Sequence, residues 1–134
     1  MNASYILLSD TSSRAKLHSD AVVVDGWAFI SGQQPIDLQN DRVPLPEMIE
    51  EQTRKILANL EVLLAPLGAS RENVVSVHIS LVDFKRIYER MNSVYISFFS
   101  AGSLPARTCI GVSALTRGAM VEMNFVVRVP ERAR

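Results

Sequence analysis

Residues 75–99 read VSVHISLVDFKRIYERMNSVYISFF, and this stretch predicts a strand that leads directly into a helix. From Val75 to Leu81 apolar residues alternate with polar ones, which is the period of a strand with one buried face. After Asp83, a residue type that often caps helices, apolar residues recur every three or four positions from Phe84 to Phe99. That is the period of an amphipathic helix, and Gly102 predicts its end.

Upstream of this unit the sequence predicts another helix. Leucine and isoleucine side chains between Ile49 and Leu67 fall on one stripe at helical spacing. The acidic residues near Glu47 suit the first turns of a helix, whereas Pro66 and Gly68 predict its end.

The N-terminal part of the chain predicts β-structure followed by a loop. Two apolar stretches, 21–24 and 27–30, flank Asp25-Gly26, which is a preferred two-residue turn of β-hairpins. A further short strand is expected near Tyr5–Leu8. Residues 31–46 contain three prolines and several Asp, Asn and Gln residues, and that composition predicts a loop.

Two strands are predicted near the C-terminus, at about 107–113 and 120–129, and they are expected to form a hairpin. In one register of that hairpin, Arg107, Cys109 and Glu122 share a face. An arginine near a carboxylate and a small residue predicts a pocket for an anionic substrate. The alternative is a cross-strand or intersubunit Arg–Glu pair that only satisfies two buried charges.

Length and composition limit the architecture and the partners. A chain of 134 residues is expected to form one domain over 1–134, of the α+β or α/β class, with two helices on one face of a single sheet. No helix is left for the other face, so we expect oligomerisation to bury it. The 14 basic and 14 acidic residues balance, which argues against a nucleic-acid partner.

Several other classes are not favoured. No apolar run is long enough for a transmembrane helix and the N-terminus lacks the features of a signal peptide, so no membrane partner is expected. The single cysteine, Cys109, suits a reducing cytoplasm. There is no phosphate-binding loop or metal-binding motif, and His18 and His78 lie far apart in the sequence. The sequence therefore does not predict a metal site made within one chain.

Five blocks of sequence, in order along nearly the whole chain, resemble the Rid (reactive intermediate deaminase, or YjgF) family. They are Ser31–Asp37, Glu51–Leu60, Asn92–Phe99, Pro105–Cys109 and Gly118–Glu122. The resemblance implies a chorismate-mutase-like subunit of the α+β class, with a mixed sheet and two helices on one face. It also implies a homotrimer, in which three sheets form a central barrel and sites lie between neighbouring subunits. It also implies hydrolysis of reactive 2-imino or enamine acids, such as 2-iminopropanoate and 2-iminobutanoate, to 2-keto acids and ammonia without a cofactor.

The resemblance further implies roles for individual residues. Arg107 matches the arginine that holds the substrate carboxylate, and Glu122 matches the acid that positions and activates the attacking water. Cys109 matches a residue that lines the site through its backbone, and its thiol is more simply explained by packing. Gly32 and Asn92 match residues around the substrate cleft of the family. The alternative is that Gly32 only allows a tight turn and that Asn92 only holds backbone segments together.

One position departs from the family pattern. His18 stands where the family commonly has a tyrosine that closes the pocket, so either the imidazole takes over that role or His18 is an exposed loop residue. Two other functions stay open: an endoribonuclease or translation inhibitor, and a metabolite-binding trimer without turnover. The neutral charge argues against the first, and the presence of both Arg107 and Glu122 argues against the second.

Overall fold

The computed structural model describes residues 2–7 and 17–131, which form a six-stranded mixed sheet with two helices on one face. The strands are β1 (Ala3–Ile6), β2 (Ala21–Val24), β3 (Trp27–Gln33), β4 (Val74–Val82), β5 (Ala106–Val112) and β6 (Val121–Arg128). The helices are α1 (Ile49–Leu64) and α2 (Phe84–Phe98). The strand order is β1-β2-β3-β6-β4-β5, and among these neighbours only β4 and β5 are parallel. This architecture confirms the predicted α+β fold class.

The first hairpin forms as predicted. β2 and β3 pair around Asp25 and Gly26, whose φ angles of 53° and 80° are those that the two-residue turn requires. β1 begins two residues earlier than predicted, at Ala3 instead of Tyr5. Leu8, the predicted end of that strand, lies outside the described residues.

Both predicted helices form, with shifted ends. α1 is followed by a 3₁₀ turn that stops at Gly68 (φ 67°), as predicted. α2 ends before Gly102, because Phe99 is already extended. The predicted cap was wrong: Asp83 lies in the left-handed region (φ 58°), and its carboxylate pairs with Arg86 instead of a backbone N–H. Over the ranges that the structure describes, no helix is long and apolar enough to cross a membrane.

The predicted C-terminal hairpin does not form. β4 lies between β5 and β6, pairing in parallel with the first and antiparallel with the second. The β4–α2–β5 unit explains this, because a helical crossover returns the chain alongside the strand that precedes it. The loop 113–120 then passes the end of β4, where the Met120 carbonyl accepts a hydrogen bond from the Val82 N–H at 2.9 Å.

This strand order places Arg107 and Glu122 on opposite faces of the sheet. Arg107 is level with Phe125, which is buried under the helices, whereas Glu122 is level with Ser80 on the face away from them. The expectation that Arg107, Cys109 and Glu122 share a face was therefore wrong for Glu122. Pairing through β4 shifts the two strands by one residue relative to a direct hairpin, and a shift of one reverses the face.

Buried amide side chains of α1 hold the loops at the edge of the sheet. Gln52 donates to the Pro46 carbonyl at 2.8 Å and accepts a hydrogen bond from the Met120 N–H at 2.9 Å. Asn59 donates to the Ile36 carbonyl at 2.9 Å. Leaving a buried amide without its partner costs about 1–3 kcal/mol, so these bonds fix the loops that follow β3 and precede β6.

The face of the sheet that points away from the helices carries solvent-exposed apolar side chains. Phe29, Val75 and Ile110 expose 49%, 42% and 42% of their surface. α1 and α2 both lie on the other face, so neither helix covers these side chains. Among residues 2–7 and 17–131, no helix therefore covers this face of the sheet, as the sequence predicts.

We expect acid to weaken the ion pair that links the two helices. Glu50 of α1 accepts hydrogen bonds from Arg90 of α2 at 2.9 and 2.7 Å, and these bonds lower the pKa of Glu50 to about 2. A group whose pKa is lowered on folding stabilises the fold above its unfolded value, here 4.5, and loses that effect as the pH falls towards 2. Glu50→Gln should therefore lower the melting temperature at pH 7 but not at pH 2, as measured by circular dichroism.

Glu51→Gln is the matched control for this prediction. Glu51 pairs within α1 with Arg54, and both side chains are mostly exposed. Exposed pairs of this kind contribute little to stability. Equal melting temperatures for Glu50→Gln and Glu51→Gln at pH 7 would contradict a stabilising role for the pair between the helices.

Candidate functional site

Three of the residues singled out in the sequence meet in one cleft. His18, Gly32 and Glu122 line a cavity of about 190 Å³ where β3 ends and β6 begins. Its other polar lining residues include Gln34, Thr116 and Arg117. The cleft is therefore walled by two strand ends and by the loops that follow β3 and precede β6.

Gly32 allows the carboxylate of Glu122 to lie against the backbone of β3. A Cβ atom at Gly32 would come within 2.9 Å of both Cδ and Oε2 of Glu122, closer than such atoms approach each other. β3 is irregular at this point, since its register with β6 shifts between Ile30 and Gln33. Glycine at this position is thus explained by a close approach to the carboxylate, not only by a turn.

Gln34, which is anchored on Thr116, holds the other oxygen of the carboxylate. The Gln34 side-chain amide donates to Oε1 of Glu122 at 3.2 Å, to the Thr116 carbonyl at 3.2 Å and to the Thr116 hydroxyl. Sequence reasoning missed both residues. The available signal was the position of Gln34, a second amide two residues after Gly32, inside the Ser31–Asp37 block that carried the family resemblance.

The loop that carries Thr116 is itself held in place. Arg117 adopts a left-handed conformation (φ 61°) and Gly118 follows it with φ 68°. The Arg117 guanidinium donates to the Asp41 carbonyl at 3.1 Å and pairs with its carboxylate at 3.5 Å. A left-handed non-glycine residue persists only where its surroundings hold it, so these contacts define the wall of the cleft.

His18 lies at the cleft and exposes its ring to solvent. Its Nδ1 atom is 3.0 Å from the Ser19 carbonyl oxygen. A carbonyl only accepts hydrogen bonds, so Nδ1 carries the proton and donates it to this carbonyl. Nε2 is not used in this hydrogen bond. His18 thus stands at the cleft together with Gly32 and Glu122 and keeps one ring nitrogen available.

Arg107, Asn92 and Cys109 form a second group on the helix side of β5. Arg107 donates to Oδ1 of Asn92 at 2.6 Å, and its guanidinium lies 4.7 Å from the ring centre of Tyr95 and 5.8 Å from that of Tyr88. Within residues 2–7 and 17–131 no carboxylate forms an ion pair with Arg107. The alternative of a cross-strand pair between Arg107 and Glu122 of one chain is therefore wrong, whereas an Arg–Glu pair between subunits stays a prediction.

The Cys109 thiol is not poised for chemistry. Burial raises the pKa of Cys109, and the nearby charge and hydrogen bond of Arg107 lower it by less. A thiol with a raised pKa is protonated at neutral pH and is a poor nucleophile. Beneath Arg107, burial also raises the pKa of Tyr95, whose hydroxyl has no hydrogen-bond partner in the described part of the chain.

No metal site is formed by the residues that the structure describes. Nowhere in these ranges do three or more His, Cys, Asp or Glu side chains come together as a metal ion would require. The two groups at the site supply instead a carboxylate in a polar cleft and, on the other side of the sheet, a guanidinium that pairs with no carboxylate of the described residues.

Comparisons with known proteins agree with this fold. The family model described as Endoribonuclease L-PSP matches residues 10–129. A RutC family protein of Aquifex aeolicus is 37% identical over 110 residues, which cover 81% of this chain and 86% of that protein. The 2-iminobutanoate/2-iminopropanoate deaminase of Mus musculus is 34% identical over 122 residues, covering 90% and 88%.

Solved structures are similar over almost the whole chain. The crystal structure of YyfA from Yersinia pestis, a protein of unknown function in the conserved Rid family, superposes with a TM-score of 0.84 at 30% identity. The match covers 96% of this chain and 100% of the other.

Proposed function

The chain belongs to the YjgF/RutC/L-PSP family, also called Rid, and from this premise we propose that it is a hydrolytic deaminase of reactive 2-imino and enamine acids. The products are a 2-keto acid and ammonia. The small-molecule substrate carries a carboxylate next to the imine carbon, and 2-iminopropanoate and 2-iminobutanoate are its simplest members.

One observation carries this proposal: a part-buried arginine that has no acidic partner among the described residues. Arg107 is fixed by the Asn92 amide oxygen and by the faces of two tyrosine rings. None of these contacts neutralises its charge. An arginine held in this way binds a carboxylate through two parallel hydrogen bonds, which also fix the orientation of the bound molecule.

We further propose that the complete site forms between two copies of the chain in a homotrimer. Arg107 and Glu122 lie on opposite faces of the sheet, so a substrate held by both needs a neighbouring subunit to supply one of them. The open sheet face, with Phe29, Val75 and Ile110 exposed, is the surface that the other copies cover. Light scattering should give three times the subunit mass of 14.9 kDa.

The residues of the site suffice for the chemistry. Arg107 holds the substrate carboxylate, and Oε2 of Glu122, beside Gly32, orients a water molecule towards the imine carbon. The water oxygen adds to that carbon, the π electrons of the C=N bond move to the nitrogen, and Glu122 takes one proton from the water and passes it to the nitrogen. The hydroxyl group formed on the carbon then gives its proton, through Glu122, to the same nitrogen. The carbon–nitrogen bond breaks, ammonia leaves with the bonding electrons, and the oxygen remains as the keto group. Orientation of the water and transfer of these two protons supply most of the rate.

The direct test generates 2-iminopropanoate and 2-iminobutanoate in solution with an amino-acid oxidase and follows their decay. The protein should accelerate the appearance of the keto acid above the uncatalysed rate. Equal rates with and without the protein would reject the proposed activity.

The reducing cytoplasm is the proposed compartment, because Cys109 is a free thiol.

Endoribonuclease activity is the second candidate, since the matching family model bears that description. The cleft contains one histidine, His18, and one carboxylate, Glu122, among its lining residues. Cleavage of RNA by acid–base chemistry needs two groups that exchange protons with the phosphodiester. Degradation of a labelled RNA that depends on His18, without imine hydrolysis, would favour this function. Saturable binding of imino acids without turnover would favour a metabolite-binding trimer instead.

Gly32→Ala should inactivate the enzyme without unfolding it. The added Cβ would meet the end of the flexible Glu122 side chain at 2.9 Å, so the carboxylate moves while the backbone stays. A displacement of about 1 Å at a catalytic group costs up to about a hundredfold in rate. We expect kcat to fall by that order, measured on 2-iminopropanoate.

Gly68→Ala does not serve as a control for this variant because Gly68 has a positive φ, whereas Gly102 has neither a positive φ nor an atom within 4 Å of a new Cβ. Gly102→Ala should therefore keep wild-type kcat. Full activity of Gly32→Ala would show that Glu122 does not need its place beside β3.

A further inference from the structure

We propose that Gln34 is a positioning residue for Glu122: its side-chain amide fixes which carboxylate oxygen faces the reacting water. For its kinetic test this inference rests on the proposed deaminase function. The position of Glu122 itself is open to a separate structural test.

The hydrogen bonds of the amide separate the two oxygens of Glu122. Gln34 Nε2 carries two hydrogens, and its acceptors lie in two directions: the hydroxyl and carbonyl of Thr116, and Oε1 of Glu122. Oε1 is therefore occupied. Oε2 lies over Gly32, where the absence of a side chain leaves room. The oxygen that Gln34 does not hold thus lies beside Gly32, and Gly32 and Glu122 both line the cleft.

The anchor at the other end of the amide is fixed. Thr116 precedes Arg117, which is bound to Asp41, and the same loop is tied to α1 through the hydrogen bond from the Met120 N–H to Gln52 at 2.9 Å. An amide held by a fixed loop restricts the rotamers of the carboxylate that it contacts. Glu122 is otherwise an unbranched side chain with three rotatable bonds, so this restriction sets its place before substrate binds.

The opposite possibility is that Gln34 only connects two loops. The bonds to Thr116 alone would serve that purpose, and they do not require a hydrogen bond to Glu122. The two possibilities differ in what kinetics should show. A residue that only connects two loops affects the stability of the fold. A positioning residue affects kcat and leaves the substrate affinity unchanged, because the substrate carboxylate is bound by Arg107 and not by Gln34.

Gln34→Met tests the proposal because methionine has the same length and no N–H donor. We expect kcat on 2-iminopropanoate to fall about ten- to a hundredfold, with KM within about twofold of the wild type. Gln39→Met is the matched control, since Gln39 is exposed in the loop after β3 and does not line the cleft. It should keep wild-type kcat. Thr116→Val, a surface change that removes one anchor, should lower kcat in the same direction by less.

Crystal structures of the wild type and of Gln34→Met complete the test. We expect the Glu122 carboxylate to leave its place over Gly32 in the variant. An unchanged kcat in Gln34→Met and Thr116→Val, or an unmoved Glu122, would overturn the positioning role. A rise in KM alone would overturn it in favour of direct substrate binding. If the wild type itself fails to hydrolyse imino acids, the proposed function is rejected, and the crystal structures still decide whether Gln34 positions Glu122.

Discussion

We expect Arg107→Ala to lower kcat/KM for 2-imino acids by at least about ten- to a hundredfold, the cost of one hydrogen bond of about 1.5–3 kcal/mol to a charged group. Arg107→Lys should fail nearly as badly. The guanidinium presents two parallel N–H groups to a carboxylate, whereas an ammonium presents a point charge on a flexible chain. The lysine would also lose the planar contact over Tyr95 that fixes the arginine. Initial rates of keto-acid formation from 2-iminopropanoate and 2-iminobutanoate measure both variants.

Arg86→Ala is the matched control for the loss of a positive charge. Arg86 lies on α2, is mostly exposed and pairs with Asp83, away from both groups of the site. It should keep wild-type activity. Light scattering must show that Arg107→Ala is still a trimer. A folded, trimeric and fully active Arg107→Ala would reject the assignment of the substrate carboxylate to this residue, and dissociation of the trimer would show that Arg107 serves assembly instead.

Local patterns in the sequence predicted the elements well, and for a physical reason. The alternation in β4 and the helical period in α2 are properties of neighbouring residues, and the turn at Asp25-Gly26 needs only two positive φ angles. Each of these features depends only on residues a few positions apart in the sequence. They form in the folded structure because the apolar side chains that recur at strand or helix spacing are the ones that packing buries.

The strand order could not be predicted in the same way. Strands that follow each other in sequence pair more often than not, and a hairpin of β5 with β6 was the natural expectation. β4 occupies the place between them because its crossover through α2 places β5 at its side, and only then does the loop 113–120 bring β6 to its other edge. Pairing between strands that are far apart in the sequence leaves no local pattern. The sequence therefore could not predict that Arg107 and Glu122 lie on opposite faces of the sheet.

In the candidate site, too, the identity of some residues could be predicted from the sequence, whereas their contacts could not. The family resemblance named His18, Gly32 and Glu122, and the structure brings these three to one cleft. It could not show that Gly32 lies against the carboxylate, or that Gln34 reaches it from the next loop, because both contacts depend on the irregular register between β3 and β6. Which residues belong to one cleft and which to the other side of the sheet is a property of the fold.

The separation of the two groups predicts that two inactive variants restore activity to each other. Arg107→Ala retains Glu122, and Glu122→Gln retains Arg107. If each site takes Glu122 from one copy and Arg107 from its neighbour, a trimer that contains both variants has sites with both native residues. Random mixing at equal amounts gives about a quarter of all sites this composition, so about a quarter of the wild-type rate should return. The two proteins are denatured together, refolded together and assayed on 2-iminopropanoate.

A second mixture supplies the control. Gly32 and Glu122 meet within one chain, with the Gly32 backbone beside the carboxylate, so mixed trimers of Gly32→Ala and Glu122→Gln always carry a defect in that half of the site. This mixture should stay inactive although it assembles equally well. Different affinity tags on the two variants confirm by pull-down that mixed trimers have formed. Mixed trimers of Arg107→Ala and Glu122→Gln that remain inactive would show that no site combines Arg107 of one copy with Glu122 of another, and the placement of the substrate between subunits would be wrong.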